Sequence, residues 1–419
     1  MTRGRAILFG LLAAIAQVAV AAALAGVPTH LPHGDVKPGL SQFVNFDGVW
    51  YLSIVTDGYS LDASRDPRQQ QMNVGFFPGY PWAAHLVRRA FGMSALLGMA
   101  ATSLLACWGF WAYFLLLLRR WRVTEGWALA ALAFLLAHPA SFFLVMGYSE
   151  SLFLFALLGF VYWCDADTWP SMLLALLHGF VMTATRLVGI PLVLYPLARW
   201  ALRVGRGSGV RAALLAATSL SGAGAYLAFC HVEFGRWDLY FQTQKAGWEV
   251  KPDYLALGRV ATYVPEWTRG WVEVQASPET TWDKVQHEID AWLNPNYVSQ
   301  ATVPAFVVVF VLLALWEWLS ARGGNDSWRG RLGYYLLAAM LFYLSASGLA
   351  SVHYRSMIRY IFPVETLLVL AVVHHAMHRE QPVGAIVKAI GAALVILSLF
   401  SLVLHAAYLH RFLNAVWVA

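Results

Sequence analysis

Charge is what this chain has least of. Asp, Glu, Lys and Arg make up 12% of its 419 residues against 59% apolar residues, and mean hydropathy is +0.57. So few charged groups cannot cover a soluble globule of this size, which excludes a soluble enzyme and identifies an integral membrane protein. Cysteine is scarce as well. Cys107, Cys164 and Cys230 fall in or beside apolar runs without paired spacing, which leaves no disulfide framework and no cysteine metal motif. Also missing are a glycine-rich phosphate loop and a Ser-His-Asp spacing.

What the chain has is long apolar runs from end to end. A window of about 20 apolar residues finds about eleven spans, near 7–27, 94–118, 126–146, 150–164, 169–184, 187–204, 210–231, 301–320, 332–351, 358–376 and 383–408. The first follows Arg3 and Arg5 and is longer than a usual signal-peptide core, so it is expected to be retained, with a cleaved signal as the alternative. This is one polytopic, all-α domain over residues 1–419. Two long connections, 28–93 and 232–300, break an otherwise short set of loops.

Basic residues fix an expected orientation. With the N-terminus inside, the inner connections carry Arg3, Arg5, Arg119, Arg120, Arg122, Arg199, Arg203, Arg206, Arg211, Arg322, Arg329, Arg331, Arg379 and Lys388, which is 14 of the 29 Lys and Arg, against 6 of the 23 acids. The inner face is then +8 and the outer −2, so the net +6 resides inside, in line with the positive-inside rule. The basic balance reports topology, and no nucleic acid partner is implied.

That orientation gathers the unusual polar clusters outside: Asp47, Phe76-Phe77-Pro78-Gly79-Tyr80-Pro81, Tyr148-Ser149-Glu150, Thr185-Arg186, the 232–300 connection, and His353 through Tyr360. One extracytoplasmic site is the economical explanation. In the first long connection, Trp82, Leu86 and Ala90 share one helical face and His85, Arg88 and Arg89 another, the pattern of a helix lying on a bilayer surface. Phe43, Phe46, Trp50 and Ile54 recur at helical spacing too, so Asp47 is expected on an interfacial helix. The second connection is rich in tryptophan (Trp237, Trp248, Trp267, Trp271, Trp282, Trp292), which suits interfacial packing or stacking on a sugar.

Asp47 lies among Phe46, Val49 and Trp50, where partial desolvation makes a carboxylate a general base; the plainer alternative is an N-terminal helix acid. Glu150 opens a span, either paired in a pocket or held by the helix dipole with Ser149 as cap. Arg186, Arg355 and Arg359 stand at outer span ends, where they either grip a phosphate bidentately or snorkel to headgroups; His353 and Tyr360 cluster with them. Asp165 and Asp167 resemble the acidic pair of soluble nucleotide-sugar transferases but lie in a short inner turn. His374, His375 and His378 read as a solvated span end before a metal site.

The motifs resemble those of the GPI mannosyltransferase 2 (PIG-V-like) family. Asn45-Phe46-Asp47-Gly48-Val49-Trp50-Tyr51-Leu52-Ser53-Ile54 with Asp57-Gly58-Tyr59 is similar to its first-loop signature, Phe76 to Pro81 to its Phe-Phe-Pro-x-Tyr-Pro, and His138-Pro139-Ala140-Ser141 through Phe153 to its Asn-Pro-Ala-Ser and Tyr-Ser-Glu-Ser run. Thr185-Arg186 and Arg359-Tyr360-Ile361-Phe362-Pro363 match later positions. Asn45, Phe46 and His138 depart from it, standing where Arg, Trp and Asn are usual.

The resemblance implies a GT-C fold and an enzyme that moves a hexose, typically mannose, from a polyprenyl-phosphate donor to a lipid or glycan acceptor by inverting displacement on the extracytoplasmic face. Asp47 is then the base; Arg186, Arg355 and Arg359, with Tyr360 and His353, take the donor phosphate. Glu150, Tyr148 and Tyr80, with Gln244 and Trp248, shape the sugar or acceptor pocket. No cofactor and no metal are expected. The competing readings are a lipid-linked sugar flippase, which calls for ionisable residues at mid-membrane and on both faces, and a GT-C transferase of other sugar specificity.

Overall fold

The structure is a computed structural model that describes residues 2–26, 39–64, 70–166, 168–202, 204, 208–263, 280, 284, 289, 293–321, 328–377, 384–416 and 418. Asp167, Arg203, Arg206, Trp267, Trp271, Trp282, Trp292, Arg322, His378 and Arg379 lie outside them. Among the described residues all regular structure is helical. In chain order the helices are α1 (Arg3–Ala25), α2 (Asp47–Asp57), α3 (Gly79–Phe91), α4 (Ala95–Arg120), α5 (Glu125–Ala137), α6 (Glu150–Cys164), α7 (Trp169–Thr185), α8 (Tyr195–Ala201), α9 (Gly209–Ser219), α10 (Ser221–Phe234), α11 (Leu239–Gly247), α12 (Pro295–Ala321), α13 (Trp328–Leu349), α14 (Met357–Met377) and α15 (Gly384–Leu413).

Among the described residues seven stretches are long and apolar enough to cross a membrane: α1, α4, α9 with α10, and the bulk of α12, α13, α14 and α15. The remaining four expected segments fall on shorter apolar helices, α5, α6, α7 and Leu187–Ala201. The expected span 126–146 is cut short. α5 stops at Ala137 because His138 precedes Pro139 and takes an extended backbone (ψ 136°), after which a 3₁₀ turn covers Ser141–Leu144.

Packing follows from small residues and outward apolar ones. α1 lies along α4 where Gly10 meets Ala112 so closely that a Cβ would come within 2.7 Å of its backbone. On the other side of α1, Leu8, Leu12 and Ile15 are about half exposed, as suits a lipid-facing surface. α4 packs on α6, α6 on α7, α7 on α9 and α10; α14 joins α12 and α13, and α15 closes against α5 and α1.

α6 sets the long axis. Its 15 residues span about 22 Å, with Glu150 at one end and Asp165 just past the other. At the Asp165 end, Arg120 (2.7 Å) and Arg199 (2.9 Å) pair with that carboxylate and Arg211 bonds the Ala166 carbonyl. Asp165 is thus a clamp for arginines. Near the same end of α14, His375 bonds Glu317 (3.1 Å), which also holds Arg331.

The two helices expected in the first long connection are present as α2 and α3, with one change. No continuous helix runs through Phe43: a 3₁₀ turn at Leu40–Val44 ends before Phe46, whose backbone (φ 54°, ψ −118°) breaks the chain, and α2 starts at Asp47. In α3 the apolar face is the outward one, with Trp82 42% and Leu86 69% exposed, while Arg88 turns inward and donates to the Val55 carbonyl (3.0 Å) at the end of α2. A water-facing helix would be oriented the other way, so this face suits a headgroup layer.

Candidate active site

The two long connections fold onto each other at the Glu150 end. Gln244 donates to the Gly75 carbonyl (2.8 Å) and Gln71 to the Gly247 carbonyl (2.9 Å), while Tyr226 of α10 donates to the Val74 carbonyl (2.6 Å) beside them. Gly75 is required there, since a Cβ would stand 2.8 Å from the Trp248 ring. Between this strap and the helix ends lies a cavity of about 1350 Å³.

Four charged side chains from separate parts of the chain meet on its wall. Asp47 opens α2 and Glu150 opens α6; Arg186 follows the last turn of antiparallel α7, and Arg359 rides the first turn of α14. Arg359 Nη1 donates to Asp47 Oδ2 at 2.7 Å, Arg186 Nη1 to Glu150 Oε1 at 2.7 Å, and Arg359 Nε lies 3.2 Å from the same Glu150 oxygen.

Both carboxylates are N-terminal helix acids, yet the dipole does not account for them. An N-terminal acid gains about 0.3–1 kcal/mol from the dipole, whereas burying an ion costs several kcal/mol unless it is paired. With the Glu150 side chain 5% exposed, the arginines decide. Nor do Arg186 and Arg359 snorkel, being 12% and 7% exposed. Tyr360 is their common support, its ring 4.7 Å from the Arg186 guanidinium and 5.3 Å from that of Arg359.

Two details of the expected setting of these acids change. Val49 is 45% exposed and turned away, so the wall beside Asp47 is made by Phe46, Trp50 and Tyr148. Ser149 does not cap α6; its hydroxyl instead accepts a bond from Tyr51 (3.0 Å). Burial, then the Glu150 carboxylate, pushes the Tyr51 phenol well up, so it stays a donor. Tyr148 is likewise pushed up, by burial and then by Asp47, and donates to the Asn45 carbonyl (2.8 Å).

Of the other expected site residues, Gln244, Trp248 and Arg355 line the cavity, Arg355 exposed at its rim. Tyr80 does not. Fully buried, it bonds Ser103 and the Met99 carbonyl and sets its ring edge-on behind Tyr51 at 5.2 Å, so its part is to back the wall. His353 is exposed off the lining, in a turn where His353, Tyr354 and Ser356 all have left-handed backbone.

No protein-family model matches the chain, and no curated protein sequence matches it. Among solved structures it is similar to "Crystal Structure of ArnT from Cupriavidus metallidurans bound to Undecaprenyl phosphate", with 15% identity, TM-score 0.47, and 96% of this chain and 76% of that one covered. The apo state of that ArnT gives 14% identity, TM-score 0.45 and the same coverage.

Lys245 and Lys251 also line the cavity, exposed and without an ion-pair partner among the described residues. Sequence reading passed over them, although they carry the signal that marked the arginines: positive charge on the expected outer side. The departures Asn45 and Phe46 meet α15, where Asn45 Nδ2 donates to the Phe412 carbonyl (2.6 Å) and Phe46 packs on the Phe412 ring. They tether the base of α2.

Proposed function

We propose that the chain is a GT-C-type glycosyltransferase that moves a hexose, with mannose the first candidate, from a polyprenyl-phosphate donor to an acceptor hydroxyl on the extracytoplasmic face. The observation that carries this reading is the convergence of Asp47, Glu150, Arg186 and Arg359 on one cavity, at the positions the family motifs single out. Asp47 accepts the proton of the acceptor hydroxyl as its oxygen attacks the anomeric carbon; the bond to the donor phosphate breaks with its electron pair on the phosphate, and configuration inverts. Arg359, Arg186 and Arg355 meet that growing charge. Tyr148 fixes the loop that carries Asp47, while Gln244 and Trp248 frame the sugar. In this reading the Asp165 end of α6 is the cytoplasmic one.

Mass spectrometry of glycans and lipids from a deletion strain tests the reading: a product short by one hexose is expected, and an unchanged profile contradicts it.

A flippase is the second reading, favoured by one feature. Glu365 in mid-α14 lies 3.4 Å from His138, and His405 of α15 and Gln17 of α1 meet at Ser141, all of them outside the cavity lining. Loss of lipid-linked sugar flipping in Glu365→Gln, with no transfer in any assay, would select it.

A further inference from the structure

The buried and part-buried charges on the cavity wall are two carboxylates and two guanidinium groups, an inner set that is neutral at rest, while Arg355, Lys245, Lys251 and Glu249 line the cavity exposed. The members of the inner set are unequally held. Among the described residues Asp47 has a single cationic partner, Arg359, whereas Glu150 Oε1 faces both Arg186 at 2.7 Å and Arg359 at 3.2 Å. Arg359 can therefore release Asp47 and still keep a carboxylate. Exposure points the same way: the Asp47 side chain is 18% exposed and that of Glu150 5%. Once released, Asp47 is hydrated from the cavity more readily than Glu150.

The resting arrangement is also incompletely bonded. Glu150 Oε2 and Arg359 Nε are both buried without a hydrogen-bond partner, an acceptor and a donor that a shifted guanidinium would satisfy. Backbone of rare geometry flanks both ends of the Asp47–Arg359 bond, at Phe46 (φ 54°) and Ser356 (φ 69°). Pro363 has no N–H to offer the Arg359 carbonyl, so the turn carrying the guanidinium lacks one helical bond.

A phosphate drawn in past the exposed Arg355, Lys245 and Lys251 adds a negative charge to this inner set, and the two buried guanidinium groups meet it only if one carboxylate gives up its cation. Resting on the transferase reading above, we infer that the donor phosphate takes Arg359 from Asp47, so that the acceptor-activating base is exposed only once the donor is bound. Glu150 and Arg186 are positioning residues that hold Arg359 through the exchange. Donor then binds before acceptor in compulsory order, and an anion left beside the freed Asp47 favours its taking a proton.

Carbodiimide-driven coupling of glycinamide to the intact purified protein, read at single residues by peptide mass spectrometry, tests this with farnesyl phosphate as probe and farnesol as its uncharged control. Asp47 labelling is expected to rise roughly tenfold or more with farnesyl phosphate, to stay unchanged with farnesol, and to leave the exposed Asp57 unaffected. Arg186→Gln leaves Glu150 wholly to Arg359, so Asp47 is expected to label strongly before any phosphate is added. Equal labelling with and without saturating farnesyl phosphate, or an equal rise with farnesol, overturns the inference. Sugar transfer measured on the same preparation separates the two claims: transfer with unchanged labelling removes the exchange alone, and phosphate-induced labelling without transfer from any donor removes the transferase reading alone.

Discussion

Arg359 reaches across 312 residues of sequence to donate to Asp47 Oδ2 at 2.7 Å. This bond ties the first outer connection to the start of α14 and makes the cavity one site. Around it, each charged residue has an assignable cost of removal.

Removing the Glu150 carboxylate strands Arg186, which is 12% exposed and has Glu150 as its ion-pair partner. Breaking a buried pair by deleting one partner costs about 3–5 kcal/mol. Glu150→Leu is therefore expected to lower the thermal unfolding midpoint markedly in detergent, and the double variant Glu150→Leu/Arg186→Met to recover much of the loss.

His138 does the work of the asparagine usual in the motif and adds a contact. Its Nδ1 accepts from the Ala140 N–H at 3.0 Å, the bond an Asn side chain makes in a turn, which leaves Nε2–H toward Glu365. His138→Asn is expected to keep the turn and lose the 3.4 Å interhelical approach, which falls short of a hydrogen bond, at no more than about 0.6 kcal/mol. Chemical unfolding checks this; a larger loss would mean that the imidazole carries the local fold.

Asn45 anchors α2 to α15 by its 2.6 Å bond to Phe412. Asn45→Leu removes that bond while the Ala415 N–H still meets the Phe412 carbonyl (3.1 Å), a loss of about 0.5–1.5 kcal/mol. Because α2 carries Asp47, transfer is expected to fall along with stability. Full activity in a destabilised Asn45→Leu would separate the tether from the site.

A reporter fused between Arg199 and Arg211 is expected to read cytoplasmic. The arginine clamp and the cavity lie at opposite ends of α6, so an outer-side signal there would reverse the face on which the cavity opens.

Much of this was legible in the chain because membrane burial writes strong signals. Every expected apolar segment contains helix, and the charges that looked out of place, Asp47, Glu150, Arg186 and Arg359, share one cavity. What stayed hidden depends on local geometry or on pairs distant in sequence. Periodicity ran a helix through Phe43 because only the φ of Phe46 interrupts it. Tyr80 was placed in the pocket by its motif, yet its hydroxyl is spent on Ser103 behind the wall. Which carboxylate holds which arginine has no signature in spacing, and Glu365 meets His138 only because α14 packs against α5.

The central claim is that Asp47 accepts the acceptor proton, and the most direct measurement is sugar transfer by purified Asp47→Asn beside the wild type. Asn keeps the side-chain shape and removes the base, which contributes about 10²–10⁴-fold. The expected result is a folded, membrane-inserted protein that still binds a polyprenyl phosphate and transfers sugar at least roughly a hundredfold more slowly; transfer at the wild-type rate in that variant would contradict the mechanism.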